Sequence, residues 1–332
     1  MIRFVPAALL LTVSLAAAAQ SESQAASSAA CAAVLAKPFD GGLDPRIQPD
    51  CDSTAFYYGI SRDKDVVAAR SCALIERINH VDKDGNPFTG VGILSMIYAN
   101  GEGTPRDTEL AKRFVCENKE ASPEEIEARL KLLDRIAESP KDSPRFVLCS
   151  TSVSGLTAGW CAGLLLRIHD AKRYDEMVKI VDGIPAPGVE AFKALQTAEG
   201  AFESVRAEKE IDLTGTARGA LILQEQDKVR AQFVSDLKLF AKPDFSEPVT
   251  LVVVESDLSD DLAKLRANGP RIFRNTTITV EGVDETQRAW LKYRDAWRAY
   301  EGVVNPTVSG DAVATQLDRE RYTQLQKLVA TF

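Results

Sequence analysis

Histidine is scarce in this sequence of 332 residues: His80 and His169 are the only two, and none of the six cysteines belongs to a C-x-x-C pair. Zinc sites are built mainly from closely spaced cysteine and histidine ligands, so the scarcity argues against a metal centre. A Ser-His-Asp or Cys-His catalytic arrangement would need one of the two histidines as its base. His169 follows the apolar run LLLRI, where a residue near the end of a helix is the simpler interpretation.

Other signatures of catalysis are missing too. No glycine-rich loop suited to a phosphate is present, and no nucleophile stands in a strand-to-helix turn. Asp260 and Asp261 are adjacent in sequence, and adjacent residues on a helix do not face each other. We therefore expect a non-enzymatic protein without catalytic residues or a cofactor. A pocket holding two or more titratable groups with strongly displaced pKa values would favour an enzyme instead.

The chain also lacks an excess of basic charge. It has 40 lysines and arginines against 48 aspartates and glutamates, a formal net charge of −8. A nucleic acid or an anionic membrane surface is disfavoured as a partner, and a cationic protein suits the charge better. Beyond the first residues, no apolar run reaches the roughly 18 residues of a membrane span.

The N-terminal stretch, MIRFVPAALLLTVSLAAAAQ, has the pattern of a secretory leader. Arg3 precedes an apolar run, and alanines precede Gln20, which predicts a signal peptide over residues 1–19 and export to the periplasm. Loss of this leader, which has one basic residue and no acid, would change the formal charge from −8 to −9. A lipoprotein would carry its acyl group on Cys31, but residues 28–30 lack the bulky aliphatic side chain expected there, so we expect no lipid anchor.

The six cysteines form an even set, which in an exported chain suggests up to three disulfides, with free thiols as the alternative. A continuous helix would separate Cys149 from Cys161 by about 18 Å, beyond the roughly 7 Å that a disulfide tolerates. Residues 150–159 are rich in serine, threonine and glycine, which allows the chain to turn back. We predict that these two cysteines are joined.

The other cysteine pairs follow from a predicted hairpin. Cys51 and Cys72 lie almost symmetrically about a turn near Ser61, which would bring them together. By elimination, Cys31 pairs with Cys116.

Two stretches of the chain share an order of features. Residues 55–77 and 96–120 both run from a helix end through a glycine-bearing turn and an Arg-Asp pair into a helix with a cysteine. With the Arg-Asp pairs in register, Asp63 corresponds to Asp107, the repeat is 44 residues long, and the first turn is much the shorter.

The second stretch, YANGEGTPRDTELAKRF, resembles the Sel-one-like repeat, a relative of the tetratricopeptide repeat. Gly101 and Gly103 suit a tight turn with positive φ, and Asp107 suits the N-cap of the next helix. The resemblance implies a helical repeat array over residues 48–140 that is a scaffold for protein contacts. A polar spacer over residues 20–47 precedes it.

The stretch ETQRAWLKYRDAWRAYEG contains an aromatic ridge, which we define as Trp290, Tyr293, Trp297 and Tyr300. Their spacing places all four on one face of a helix. Such a ridge either packs in a core or forms a binding surface, and the core is the commoner outcome. We predict that the ridge is interior, with Arg294 at its border laying its stem along the indoles.

The polar stretch KEIDLTGTARGA lies between two long stretches with apolar stripes. Its Glu210, Asp212 and Arg218 need partners if they are buried, either in a network that fixes the register of packed helices or in a site. Arg294 and Asp295 of the aromatic helix are candidate partners.

The stretches TQRAWLKYRDAW and EIDLTGTARGA, with the pair Cys149 and Cys161, resemble the lysozyme-inhibitor-like domain of the LprI type, which is found in exported bacterial proteins. The resemblance implies that residues 141–332 form a helical domain that binds a protein, with a basic lysozyme as the implied partner. The residues that carry the motif or the candidate polar network are Gln287, Arg288, Trp290, Tyr293, Arg294, Asp295, Trp297, Glu210, Asp212 and Arg218.

The remaining segments also favour helices. Residues 248–265 suit a short strand or a helix, and the absence of a partner strand favours the helix. Thr279 suits the N-cap of the aromatic helix, and residues 311–329 form a final helix. The sequence therefore predicts an all-α protein, in which a short array of helical hairpins precedes a domain of long packed helices stapled by disulfides. The expected function is an exported protein-binding module that inhibits a lysozyme-like enzyme, or alternatively an envelope scaffold.

Overall fold

The structure, a computed structural model, describes residues 28–39, 51–79, 86–242 and 251–330, with side chains from residue 256 onward in the last range. The predicted signal peptide lies outside these ranges. Every regular element within them is helical, which confirms the all-α prediction. No helix of this part of the chain combines the length and apolar character that a membrane span requires.

The helices are α1 (28–35), α2 (Ser53–Tyr58), α3 (Val66–Asn79), α4 (Val91–Asn100), α5 (Thr108–Glu117), α6 (Pro123–Glu138), α7 (Gly155–Val181), α8 (Ala186–Lys209), α9 (Arg218–Phe240), α10 (Leu251–Ile272), α11 (Val280–Val304) and α12 (Gly310–Ala330), with a 3-10 turn at Leu148–Thr151.

The chain divides into two compact units, residues 1–161 (unit 1) and 162–332 (unit 2), and the division falls within α7. The assignment of residues 48–140 to a Sel-one-like array and of residues 141–332 to an LprI-like domain stays a prediction.

Unit 1 is built from short helices that pack in chain order, α2 against α3, α3 against α4, α4 against α5 and α5 against α6. α4 is central to this unit, since eight of its ten residues are buried. Its sequence, VGILSMIYAN, is apolar nearly all round, which is typical of a helix covered on several sides.

The hairpins α2–α3 and α4–α5 repeat with an offset of 42 residues, not 44. Gly59 and Gly101 end the first helix of each hairpin in the left-handed conformation, with φ of 69° and 67°. Asp65 and Asp107 follow at equal distances, and each donates its main-chain N–H to the carbonyl nine residues earlier, at 3.0 and 2.9 Å. The predicted register was wrong because Asp65, not Asp63, precedes the second helix and accepts hydrogen bonds from its first N–H groups.

The two turns are therefore equal in length, and the predicted shortening of the first is wrong. Ser61, with φ of 56°, occupies in the first turn the place of Gly103, with φ of 65°, in the second. With this offset Cys72 corresponds to Phe114 rather than to Cys116. The hairpins share a turn conformation more closely than they share a sequence.

All three predicted disulfides are present, with Cα–Cα distances of 5.3 to 5.8 Å. They join Cys31 to Cys116, Cys51 to Cys72 and Cys149 to Cys161. The first links α1 to α5 across 85 residues. The last closes because the chain turns through the 3-10 helix before α7 begins. All six cysteines belong to unit 1, so the disulfides staple that unit.

Unit 2 consists of long helices around an aromatic core. α8 packs against α9 and α11, and α12 packs against α10 and α11. The four residues of the aromatic ridge are all buried, which confirms the predicted core position. The ring of Trp297 lies 5.5 Å from that of Phe233 and 5.1 Å from that of Phe240, and Tyr293 stacks on Phe202 at 5.5 Å.

The helices on either side of α11, and the cap of α11 itself, agree with the helical predictions for these segments. The ambiguous stretch is helical from residue 251 onward, and residues 248–250 lie outside the described ranges. Thr279 caps α11, since its hydroxyl accepts the N–H of Gly282 at 3.0 Å. α12 begins one residue before its predicted start.

Candidate functional site

The predicted polar stretch and the aromatic helix meet through Arg321 of α12. Its guanidinium donates to both carboxylate oxygens of Glu210, at 2.8 and 2.5 Å, and its Nε donates to Oε1 of Gln287 at 2.9 Å. All three side chains are buried. A bidentate pair with a further acceptor satisfies a buried guanidinium and fixes the register of the helices that carry it. The network therefore has a structural role in unit 2.

Arg321 is not among the predicted site residues, although the sequence contains a signal for it. Arg321 stands four residues after Leu317 and four before Leu325, which are both buried. An arginine on the apolar face of a helix requires a buried acceptor, and the polar stretch supplies one.

Arg294 contacts α12 and the ridge. Its guanidinium lies 3.2 Å from the buried carboxylate of Asp318 and 5.4 Å from the ring centroid of Trp290. Asp295 is exposed and lies 3.8 Å from Arg294. Arg294 thus forms a salt bridge with α12, and the predicted partner among residues 210–218 is wrong.

The other predicted residues lie at the surface or near it. Asp212 accepts hydrogen bonds from the N–H groups of Thr214 and Thr277, at 3.1 and 3.2 Å, and so ties the loop after α8 to the loop before α11. Arg218, the first residue of α9, and Arg288 are exposed.

His169 lies in the middle of α7, so its predicted place near a helix end is wrong. Its Nδ1 is 2.9 Å from a carboxylate oxygen of Asp227, and Arg173 donates to the same carboxylate at 2.7 Å. Among the described residues, no serine, threonine or cysteine hydrogen-bonds to His169. This pair therefore lacks the nucleophile of a catalytic triad. His80 lies outside the described ranges.

Unit 2 contains a cavity of about 270 Å³, which we call the α9–α12 cleft. Its aromatic lining comes from Phe202, Trp290 and Tyr293, and its polar lining comes mainly from α9 and α12. Apolar walls with a few convergent polar groups are typical of sites for small molecules.

A carboxyl pair lies in this cleft, formed by Asp236 of α9 and Glu320 of α12, which hydrogen-bond to each other. Gln232 donates to one oxygen of Asp236 and Gln316 to one oxygen of Glu320, both at 2.8 Å. Burial and then the charge of Glu320 raise the pKa of Asp236 to about 8, and burial raises the pKa of Glu320. Because two carboxyl groups in contact do not both ionise readily, the pair keeps one proton at neutral pH.

Basic side chains line another part of the α9–α12 cleft. Arg206 of α8 and Lys228 of α9 both bind Glu225, at 2.6 and 2.9 Å, and Lys327 of α12 also lines the cleft. Arg206 and Lys228 therefore already form salt bridges with a carboxylate of the protein, that of Glu225.

Unit 1 contains a larger cavity of about 760 Å³, which we call the unit 1 groove. Arg77 and Glu117, which line it, are joined by two hydrogen bonds of 2.5 and 2.9 Å. Asn118, also in the lining, is buried, and its amide nitrogen has no hydrogen-bond acceptor. Leaving a buried donor without an acceptor is energetically costly.

Comparison with protein-family models, curated proteins and solved structures finds no match for the chain. The resemblances to Sel-one-like repeats and to the LprI type therefore rest on the quoted motifs alone.

Asp236 and Glu320 are not among the predicted site residues; the only acidic pair considered from the sequence is Asp260 and Asp261. A partial signal was present, because Asp236 lies three residues after Phe233 on the apolar stripe of α9. An acid on such a stripe indicates a buried carboxyl group. Its partner, 84 residues later, depends on how α9 and α12 pack, which the sequence pattern does not determine.

Proposed function

We propose that this protein is an exported binding protein that contacts a protein partner and does not catalyse a reaction. The observation that carries the proposal is the repeat of two helical hairpins at an offset of 42 residues with matching turn conformations. Stacked hairpins present extended surfaces that bind other proteins. The unit 1 groove supports this role, since the amide nitrogen of Asn118 has no hydrogen-bond acceptor and suits a main-chain carbonyl of a partner.

The disulfides support a particular compartment, and the net charge supports a particular class of partner. Three disulfides suit an oxidising compartment such as the periplasm. The net charge of −8 favours a cationic partner, since opposite net charges speed association. With the resemblance to the LprI type, these features support a basic lysozyme-like enzyme as the partner and its inhibition as the function.

The test measures lysis of a bacterial cell-wall suspension by a basic lysozyme, with the oxidised mature protein in molar excess. We expect slower lysis and a complex by calorimetry. Association should slow as added salt shortens the screening length from about 10 Å toward 3 Å. Undiminished lysis without a complex would contradict inhibition.

A variant of the unit 1 groove makes the test specific. Asn118→Asp removes the unpaired donor but keeps the oxygen that accepts the N–H of Glu120, so we expect weaker binding from a folded protein. Asn268→Asp adds the same charge at an exposed position of α10 and is the matched control. Equal weakening by both variants would assign the effect to charge and not to the groove.

The alternative function is a structural protein of the bacterial envelope without an enzyme target. A pull-down from envelope extract with the oxidised mature chain separates the two. Envelope components without a lysozyme, together with normal lysis in the assay, would support the alternative.

An enzyme is a second alternative, because the α9–α12 cleft holds two carboxyl groups with raised pKa values. Glycosidases keep their two carboxyl groups about 5 Å apart or more, so that both reach the substrate. Asp236 and Glu320 instead hydrogen-bond to each other. The cleft therefore supports binding better than hydrolysis, and clearing of a cell-wall suspension by this protein alone would overturn that conclusion.

A further inference from the structure

The Asp236–Glu320 pair has no basic partner. Within the described residues, no lysine or arginine forms a salt bridge with either carboxyl group, although basic side chains line the same cleft. Asp236 is 1% exposed, and its Oδ2 accepts no hydrogen bond from an N–H or a hydroxyl donor. Buried carboxyl oxygens normally face a cation or several donors. Apart from the proton that the two carboxyl groups share, the described residues supply only Gln232 and Gln316 as donors to this pair.

We propose that the α9–α12 cleft binds a small organic cation whose ammonium or guanidinium group lies against the Asp236–Glu320 pair. Gln232 and Gln316 each donate to one oxygen of a carboxyl group, and the ligand takes the place of the proton that the two carboxyl groups share. Ammonium and guanidinium groups carry several donors and no acceptor, so they match two adjacent carboxyl groups.

The aromatic lining suits the rest of such a ligand. Phe202, Trp290 and Tyr293 present apolar surface for methylene groups, and aromatic faces attract cations. Arg294 already lies 5.4 Å from the ring of Trp290, which shows that this indole takes a guanidinium as a neighbour. The basic groups elsewhere in the cleft disfavour a second positive charge, so a monocation with a short apolar stem fits best.

Ligand binding displaces the proton that the pair shares. A cation against the two carboxyl groups stabilises the state in which both are ionised. Since burial and the charge of Glu320 raise the pKa of Asp236, affinity should rise as the pH rises through neutrality, because the proton competes less well. The other titratable and charged groups that line the cleft are Arg206 of α8, Glu225 and Lys228 of α9, Tyr293 of α11, and Lys327 of α12.

The experiment is calorimetry of the full oxidised protein with n-butylguanidinium, repeated in two buffers that differ in ionisation enthalpy. We expect a Kd of about 1 mM or tighter and release of about one proton at pH 7. The neutral analogue n-butylurea has nearly the same shape, and it should bind at least about tenfold more weakly because it lacks the charge-assisted bonds.

Variants locate the site. Asp236→Asn and Glu320→Gln should each weaken n-butylguanidinium binding by about tenfold and abolish proton release. Glu190→Gln removes an exposed acid from α8 outside the cleft and should change neither quantity. Thermal unfolding checks that each variant is folded. If a variant is unfolded, the proton release of the parent protein still tests whether the ligand binds at the carboxyl pair.

No binding at about 5 mM ligand, equal binding of n-butylurea, or unchanged affinity in both cleft variants would overturn the proposal. A blocked peptide, acetyl-Gly-Arg-Gly-amide, then identifies the source of the cation. Tighter binding of the peptide than of n-butylguanidinium indicates a side chain of a protein, and weaker binding indicates a free small molecule. Both results keep the cation site, which does not depend on inhibition of a lysozyme.

Discussion

Glu125 of unit 1 and Glu301 of unit 2 are both buried, at 0% and 3% exposure, yet the two units surround them differently. Glu125 accepts the N–H groups of Val153 and Ser154, both at 3.1 Å, and the hydroxyl of Thr157 at 2.9 Å. Burial raises the pKa of Glu125, but these hydrogen bonds outweigh it and the pKa is lowered. Burial alone raises the pKa of Glu301 to about 7, and its Oε2 has no hydrogen-bond partner.

The difference follows from how the units are built. Unit 1 has short helices and many turns, and main-chain N–H groups in a turn just before a helix, such as those of Val153 and Ser154 before α7, are free to bind a buried carboxylate. Unit 2 has long helices whose central N–H groups are used within the helix, so a carboxyl group on a buried face depends on side chains. At Glu125, unit 1 therefore adds main-chain hydrogen bonds to its disulfides, whereas unit 2 depends on aromatic packing and leaves one oxygen of Glu301 without a hydrogen bond.

The largest expected effect tests the aromatic core of unit 2. Trp297 is fully buried against Phe233 and Phe240, so Trp297→Ala should lower the free energy of unfolding by about 3–5 kcal/mol. Leu291→Ala, at a partly exposed position of the same helix, is the control and should cost less than about 1 kcal/mol. Urea unfolding followed by circular dichroism measures both. A Trp297→Ala protein as stable as the parent would mean that the ridge is not a core.

The second prediction concerns the disulfides of unit 1. Replacing Cys31 and Cys116 by serine opens a loop spanning 85 residues and should cost about 2–4 kcal/mol. Replacing Cys149 and Cys161 opens a shorter loop, with a separation of 12, and should cost less. Hydrogen exchange read by mass spectrometry should show lost protection in α5 and retained protection in α11. Equal loss in both helices would mean that the units do not respond separately.

The third prediction uses the contrast between the two glutamates. The folded-state pKa of Glu301, about 7, exceeds the ordinary value of 4.5, so the folded protein binds the extra proton and stability falls as the pH rises between these values. Glu301→Gln should therefore stabilise the protein by about 1–2 kcal/mol at pH 8 and leave it unchanged at pH 4. Unfolding free energies at both pH values measure the effect.

Glu125→Gln is the matched counterpart and should act in the opposite direction. The lowered pKa of Glu125 means that its charge stabilises the fold above pH 4.5 and that this contribution is lost as the pH falls through the folded-state value. The substitution should destabilise the protein at pH 8 and less so at low pH. The same sign for both substitutions at pH 8 would contradict the contrast between the units.

Periodicity and spacing predicted much of this fold. The aromatic spacing predicted α11 and its buried face, and cysteine spacing predicted the pairs Cys51–Cys72 and Cys149–Cys161, because these depend on distances along one or two helices. The pair Cys31–Cys116 followed only by elimination. The acceptors of Arg321 and the partner of Asp236 depend on the packing of helices distant in sequence. The predicted repeat register was wrong for a local reason: Asp63 and Asp65 both suit a cap, and it is Asp65 that accepts the first N–H groups of α3.

The turns of the two hairpins in unit 1 should show the smallest change in stability. A non-glycine residue in the left-handed conformation costs about 1 kcal/mol, while glycine adds freedom to the unfolded chain. Ser61→Gly should therefore stabilise the protein by about 0.5 kcal/mol and Gly103→Ser should destabilise it by about 1 kcal/mol. A Cβ atom at Gly103 would lie 3.4 Å from a methyl group of Val66, an ordinary contact, so the cost there is conformational. Thermal unfolding of both variants measures these changes. If both shifted stability in the same direction, the turns would not be equivalent and the 42-residue register would lose its support.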